Sequence, residues 1–375
     1  MKESFLNIRS RTIHFLYKTI LKRIFFKIDP EVIHDRMVSV GVFLGKYALI
    51  RRLVGLFFSY SNKSLEQKIL GIKFKNPVGL GAGFDKDAVL TDILPYVGFG
   101  FVEVGSITGE ACDGNPKPRL WRLENSRGLV VNYGLKNQGS EKIAKRLASR
   151  KFLIPIGTSI AKTNSPETVI DEAGINDYVK AFTKFVTIGD YFTINISCPN
   201  AFGGQPFCDG QRLDRLLDKL DKNPTKKPIF LKVSPDLTRR EIDKILVVAS
   251  RHGVDGFVCT NLTKNRINKK IVDKIISKDG GISGKVVEDL ANGLISYIYR
   301  KTNGKFVIIG LGGVFDAQDA YKKIKLGASL IQLITGMIFE GPQVISEINQ
   351  GLVRLLEKDG FDNISQAVGI ETYVF

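Results

Sequence analysis

Residues 191–200 read Tyr191-Phe192-Thr193-Ile194-Asn195-Ile196-Ser197-Cys198-Pro199-Asn200. The first half is a short, nearly continuous apolar run rich in β-forming residues, and the second half turns abruptly polar. Strands covered on both faces are written this way, because a parallel sheet packed between helices has no solvent face for polar residues to alternate onto. Seven more runs of the same character lie at 77–83, 99–106, 155–161, 228–234, 256–261, 305–313 and 329–335, with helical segments between them. Eight strands alternating with helices predict an α/β fold, a closed (β/α)8 barrel, with a doubly wound open sheet as the competing architecture. Nearly every run ends in Gly or polar residues, as expected if all eight C-terminal strand ends line one site, and this favours the barrel.

Upstream of these runs the pattern is helical. Between residues 12 and 28, Ile13, Leu16, Tyr17, Ile20, Leu21, Ile24 and Phe25 recur at helical spacing, with Arg11, His14, Lys18 and Lys22 on the opposite face. Asp29-Pro30-Glu31 then reads as a helix start, Asp29 capping and Pro30 in the first turn, and Ile33, Met37, Val40 and Leu44 follow on one face. Residues 47–58 are apolar except for Arg51 and Arg52. These features predict a helical extension over 1–62 and a barrel over 63–375. The long connection 108–151 predicts extra strands and a lid or substrate loop ahead of a helix at 141–150.

A chain of 375 residues, 43% apolar and 25% charged, can bury a full core, which excludes a disordered or fibrous protein. The formal charge of +17 predicts attraction to something anionic: a lipid surface, a nucleic acid or a phosphorylated ligand. Residues 1–60 hold eleven Lys or Arg against four Asp or Glu, so the excess is partly N-terminal. No run there approaches the roughly 18 to 20 uncharged apolar residues of a spanning helix, and no secretory h-region is visible, so membrane attachment would be from one side. The cysteines Cys112, Cys198, Cys208 and Cys259 form no C-x-x-C pair, and the three histidines lie far apart. A zinc ribbon, an iron–sulfur cluster and a Ser-His-Asp triad are therefore disfavoured, no metal is expected, and a reducing cytosol is the default.

The strand ends carry the chemistry. After the first run, Gly81-Ala82-Gly83-Phe84-Asp85-Lys86 lets the backbone approach a flat ligand beside a cation, although such glycines also serve plain tight turns. The fourth run ends in two amides bracketing a thiol that Pro199 braces; amides donate and accept, which suits a planar ring bearing carbonyl and N–H groups. The plainer alternative makes Cys198 a small buried hydrophobe and the asparagines turn caps. In the fifth run Lys232 is the lone charge, and a buried lysine needs an anion or an escape to solvent. Cys259-Thr260-Asn261 adds a hydroxyl and an amide. The clusters 280–284 and 310–313, with Ile334-Thr335-Gly336, predict glycine-lined loops that cradle a phosphate after the last strands.

Together, Asn76-Pro77-Val78-Gly79-Leu80-Gly81-Ala82-Gly83-Phe84-Asp85-Lys86, residues 195–200, Lys232 with Pro235-Asp236-Leu237, Thr260-Asn261, 280–284 and 310–313 resemble the dihydroorotate dehydrogenase family in the same order. The similarity runs over roughly 65–350. Asp29-Pro30-Glu31 with His34 resembles the two-helix extension of the quinone-linked, membrane-associated class, which forms a hydrophobic tunnel at the membrane surface. The resemblance implies FMN as cofactor, held by Ala82, Gly83, Ser106, Ser159, Asn195, Lys232, Thr260, Gly284, Gly313 and Thr335. It implies dihydroorotate or orotate bound by Lys86, Asn132, Asn195, Asn200 and Asn261, Cys198 as the catalytic base, a quinone as electron acceptor, and a peripheral place on the cytoplasmic face of a membrane.

Several positions depart from the family's pattern. The base of the quinone-linked class is usually Ser, and Cys is typical of the soluble classes, which leaves fumarate or NAD as alternative acceptors. The family's substrate Asn falls on Val131, one place before Asn132; Ser159 and Leu262 stand where Asn and Thr are common; and Ile334 replaces a usual Tyr. Two rivals remain at this point: another flavin barrel such as a tRNA dihydrouridine synthase, against which the chain has no C-terminal RNA-binding domain beyond the barrel, and a membrane-surface protein on a decayed barrel. No nucleic-acid partner is expected, and no oligomeric state follows from the sequence.

Overall fold

In the computed structural model, residues 2–274 and 277–372 are described. Eight parallel strands close on themselves: β1 (Val78–Leu80), β2 (Phe101–Ile107), β3 (Ile156–Ile160), β4 (Tyr191–Asn195), β5 (Ile229–Val233), β6 (Gly256–Cys259), β7 (Val307–Leu311) and β8 (Leu330–Leu333). Each pairs with its neighbours in chain order, and β8 returns to β1 through Ile331 opposite Val78. Closure removes the open-sheet alternative. Seven strands lie inside their expected runs and β2 passes its run of 99–106 by one residue, to Ile107, while the polar residues beyond Asn195 and Cys259 are released from pairing to bend over the mouth.

The end of the barrel away from the mouth is filled with rings. Phe74, Phe101, Tyr191 and Phe230 stack edge to face at centroid spacings of 5.4, 6.5 and 5.5 Å, within a buried cluster that also holds Val258, Ile309 and Leu330. Such rings fit because their neighbours lack side chains: a Cβ on Gly79 would sit 2.4 Å from the Phe101 ring, and one on Gly157 would sit 2.1 Å from that of Tyr191. The inward positions of adjacent strands thus alternate large and absent, which lets a narrow barrel pack as a solid.

The N-terminal residues form three principal helices, α1 (Lys2–Leu16), α2 (Pro30–Lys46) and α3 (Ala48–Phe58). Asp29 caps α2 as expected, its carboxylate accepting from the Glu31 and Val32 amides at 2.9 and 3.0 Å. The first helix departs from the reading of 12–28 in two ways: it reaches back to Lys2, and it widens into a π-helical turn at Tyr17–Leu21 before resuming at Lys22–Phe25. Tertiary contacts account for both. Arg9 donates to the Leu56 carbonyl at 2.6 Å and to Ser346 Oγ at 3.1 Å, and Tyr17 donates to the Ile338 carbonyl at 2.7 Å. Local apolar spacing carries no trace of partners hundreds of residues away.

The connection after β2 contains strands Leu120–Leu123 and Gly128–Val131 and then helix Ser140–Leu147, in line with the expectation of extra strands before a helix. Gly281–Gly284, read above as a glycine-lined loop, is instead a third strand of that sheet, Ser283 pairing with Leu129. Four residues with two glycines give little strand signal, and pairing with a distant hairpin supplies the rest.

Candidate active site

Above the ring-filled floor, the strand ends enclose a cavity of about 520 Å³ that continues between α2 and α3. It is walled mainly by apolar groups, with Lys86, Lys136, Lys232 and Arg122 among its lining residues and no carboxylate among those described. A low-dielectric chamber with cations and no acids favours anions, since a ligand carboxylate or phosphate recovers there the Coulomb energy that burial took from the lysines.

β1 delivers Ala82, Gly83 and Lys86 to this chamber, β2 Ser106, β4 Asn195, Cys198 and Asn200, β5 Lys232 and β6 Thr260 and Asn261, while Gly284, Gly313 and Thr335 close the opposite side. The amides are locked together. Asn195 donates to Ser106 Oγ at 2.9 Å, and its Oδ1 accepts from Asn261 Nδ2 at 3.0 Å. Asn261 Nδ2 also reaches Ser197 Oγ at 3.0 Å. Asn200 donates to the Val131 carbonyl at 2.8 Å, and its Oδ1 is buried with no partner among the described residues, an acceptor held ready for a ligand N–H.

Burial pushes the Cys198 thiol up from its ordinary value; the Asn200 amide and the positive charges of Lys232, Lys162 and Lys264 oppose the shift without cancelling it. Lys232 is only 4% exposed, and burial lowers its pKa, with Glu103 and Cys198 acting the other way. A half-buried thiol beside a buried lysine whose charge favours its thiolate is the kind of pair that proton transfer uses.

On the opposite side, Gly284, Gly312 and Gly313 have φ of 86°, 114° and 78°, where L side chains are disfavoured. A Cβ on Gly313 would meet Glu288 at 2.4 Å. Ser283 and Thr335 share a hydrogen bond at 2.8 Å, fastening the two loops together. The result is a side-chain-free wall suited to an anionic group.

Two residues named from sequence lie outside the chamber. Ser159 is fully buried behind Ser106, the two hydroxyls 2.8 Å apart. Asn132 is turned to Asn115, whose Nδ2 donates to its Oδ1 at 2.9 Å, while Val131 lines the cavity. Extended backbone accounts for this, since successive side chains point to opposite sides and Val131 has the inward place. Sequence reasoning missed Tyr133, whose ring lies 4.0 Å below Lys86 Nζ, and Lys162, buried under the loop beyond Cys198 and donating to the Phe202 carbonyl at 2.7 Å. Lys162 is a lone cation just past the run 155–161, a weaker form of the signal that singled out Lys232 inside its run.

A closed barrel whose strand ends converge on a cation-lined chamber, with no carboxylate lining it among the described residues, defines a (β/α)8-barrel enzyme that takes anionic ligands at its mouth. Residues 64–356 match the family model described as dihydroorotate dehydrogenase. A Nostoc punctiforme protein named dihydroorotate dehydrogenase (quinone) is 38% identical over 376 residues, covering 95% of this chain and 98% of that protein. One of the same name from Crocosphaera subtropica is 41% identical over 325 residues, covering 84% and 85%. The crystal structure of DHODH from Eimeria tenella in complex with ferulenol superposes with a TM-score of 0.83 at 29% identity, covering 92% of this chain and 96% of that one. The chain belongs to the dihydroorotate dehydrogenase family.

Proposed function

We propose that this chain oxidises (S)-dihydroorotate to orotate in pyrimidine biosynthesis with FMN as cofactor and a quinone as electron acceptor. The observation that carries the reading is the convergence of Cys198, the Asn195–Asn261 amide pair and the free Asn200 Oδ1 on one side of a chamber lined by Lys86 and Lys232. FMN fits the residues present. Ala82, Gly83, Ser106, Asn195, Lys232 and Thr260 would hold its ring, and Gly284, Gly313 and Thr335 its phosphate, where a Cβ at either glycine would collide with the wall. When bound, it supplies the acceptor for the hydride leaving C6 of dihydroorotate.

The chain's own groups do the rest. Asn195, Asn200 and Asn261 grip the amide edges of the pyrimidine, and Lys86 meets its carboxylate. Cys198 Sγ, as thiolate, takes the C5 proton. Ser159 acts through Ser106 rather than on the cofactor, and Asn132 supports the loop rather than the substrate. Chamber walls of Leu, Ile, Val and Phe exclude water from the reacting carbons.

The quinone would enter along the arm of the cavity between α2 and α3, lined by Met37, Val40, Leu44, Val54 and Phe58. On α1 and α3 of the extension Phe15, Leu49 and Leu56 are 64%, 70% and 67% exposed, and the same helices carry basic residues, which supports peripheral attachment of residues 1–62 to the cytoplasmic face of a membrane. Among the described residues no helix is long and apolar enough to cross a membrane. Anaerobic addition of dihydroorotate to the FMN-loaded protein should bleach the flavin, and a soluble quinone should restore its colour. Recovery with fumarate or NAD instead would favour the acceptors of the soluble classes, to which the cysteine base points, and no bleaching would refute the reading.

A further inference from the structure

The first turn of α2 is fastened to the barrel by a buried ion pair. Glu31, 3% exposed, accepts from Arg119 at 2.8 and 3.1 Å, and Arg119 also donates to the carbonyls of Asp113 and Asn115 at 2.7 and 2.8 Å. One helical turn later, on the same face, His34 enters the chamber. Its ring stands edge-on to Phe84 at 5.0 Å, and its Nε2 lies 3.0 Å from Lys86 Nζ. Lys86 in turn rests on the face of Tyr133. Among the described residues no carboxylate lies within ion-pair distance of this ammonium. His34 is thus its hydrogen-bonding partner, and that partner belongs to the extension rather than to the barrel.

The protonation states follow from the surroundings. Burial, reinforced by the Lys86 charge, pushes the His34 pKa down to about 3, so the ring is neutral at physiological pH. Burial lowers Lys86 to about 8, which leaves it mostly charged there. An ammonium has no lone pair, so Lys86 donates, Nε2 accepts, and the imidazole proton sits on Nδ1. One Lys86 N–H is committed to His34, and the other two stay available for an incoming carboxylate.

We propose that His34 is a positioning residue for the substrate site: it aims the Lys86 ammonium at the carboxylate of dihydroorotate, so the docked extension completes a site that the barrel alone leaves unfinished. This rests on the dihydroorotate reading above. Without His34 the lysine keeps only the Tyr133 face and can swing about its flexible stem. With it, docking of α2 and affinity for the substrate are linked, since whatever undocks the extension also releases Lys86.

The test compares FMN-loaded wild type, His34→Ala, His34→Gln, Lys86→Met and the His34→Ala/Lys86→Met double variant. Two quantities are read: the dihydroorotate concentration that half-saturates anaerobic flavin bleaching, and the affinity for orotate by calorimetry. His34→Ala should weaken both by about tenfold, as expected for losing one hydrogen bond to a charged group. His34→Gln, whose amide oxygen can accept in place of Nε2, should recover most of the loss. In the double variant the His34→Ala change should add little to Lys86→Met, because the two residues act as one unit. If His34→Ala does not retain FMN, His34→Asn, with an amide too short to reach Lys86, takes its place with the same expected loss. The proposal is overturned if wild-type saturation survives removal of the imidazole while only the quinone KM rises, or if the two losses multiply independently. A wild-type protein that dihydroorotate does not bleach would instead overturn the parent reading, and this one with it.

Discussion

Asn200 donates its amide to the backbone carbonyl of Val131 at 2.8 Å and keeps its own Oδ1 buried and unpartnered. The loop that carries the thiol is thereby tied to the accessory sheet over the mouth, and one acceptor is left for a ligand. An unpaired buried amide oxygen costs free energy on the order of 1–3 kcal/mol, which a ligand N–H would recover. Asn200→Ala should therefore weaken dihydroorotate binding about tenfold or more. Asn132→Ala, at a side chain turned to Asn115, should change it less than about twofold. Substrate saturation curves of the two variants decide the matter, and a larger effect at Asn132 would mean that its amide swings inward.

The raised thiol fixes the direction of the pH response. Because burial holds Cys198 above its ordinary pKa, the protonated form dominates at neutral pH, and the thiolate that can accept the C5 proton grows as pH rises through that elevated value. At saturating dihydroorotate, flavin reduction should accelerate with pH across the neutral-to-alkaline range, while loss of the Lys86 charge near pH 8 raises the concentration needed to saturate, and Cys198→Ala should bind FMN normally while reducing it about 10² to 10⁴ times more slowly. Stopped-flow absorbance at several pH values measures both. A flat profile at wild-type rate in the alanine variant would remove the cysteine from the reaction.

Lys162 has its Nζ on the Phe202 carbonyl at 2.7 Å and on Thr168 Oγ1 at 3.2 Å, and its charge favours the Cys198 thiolate. Lys162→Met removes both the clasp on the loop and that charge. The alkaline limb of the rate profile should move to higher pH, with FMN content unchanged. An unmoved limb with lowered thermal stability would show that the lysine serves only to hold the loop.

Arg119→Met should strand Glu31 in a buried position with only the more distant Lys117 and Lys136, at 3.5 and 3.7 Å, for compensation. Breaking such a pair costs about 3–5 kcal/mol, somewhat less where other cations stand by, and calorimetric unfolding should register the loss. Burial alone would raise the Glu31 pKa, but the Arg119 hydrogen bond and the three cations outweigh it and hold the carboxyl below its ordinary value. Stability from this group is then present above the unfolded pKa and is lost as pH falls through the lower folded one. The difference in stability between wild type and Arg119→Met should narrow in acid; a gap that widens there would contradict the assignment.

Much of the barrel was legible because its strands are buried on both faces, and a doubly covered strand has to be written as an apolar run with its polar residues held back to the end. Asn195, Cys198 and Asn261 stood out as the polar ends of such runs, and Lys232 as the lone charge inside one. What escaped notice depends on distance or on side. Glu31 and Arg119 are 88 residues apart, and His34 and Lys86 are 52 apart, so neither pair leaves a local pattern. Asn132 is turned to Asn115, away from the cavity that Val131 lines, and Ser159 stands one hydrogen bond behind Ser106, placements that periodicity resolves only once the register of the strands is known. The π-helical turn at Tyr17 answers to a carbonyl at Ile338 that no window on the first thirty residues contains.

The accessory sheet joins Gly281–Gly284 to the hairpin from the β2 connection, with Gly128 opposite Gly284 and Val131 opposite Gly281. One end of that ribbon would roof the entrance proposed for the pyrimidine, and the other is the glycine wall beside Thr335. A door and a clamp cut from a single plank would move together: if the roof lifts to admit or discharge a small ring, the grip on the nucleotide tail would flex in the same stroke. On the proposed reading, turnover and retention of the prosthetic group would be mechanically geared, and a variant that opens the entrance more freely should also shed its flavin more readily.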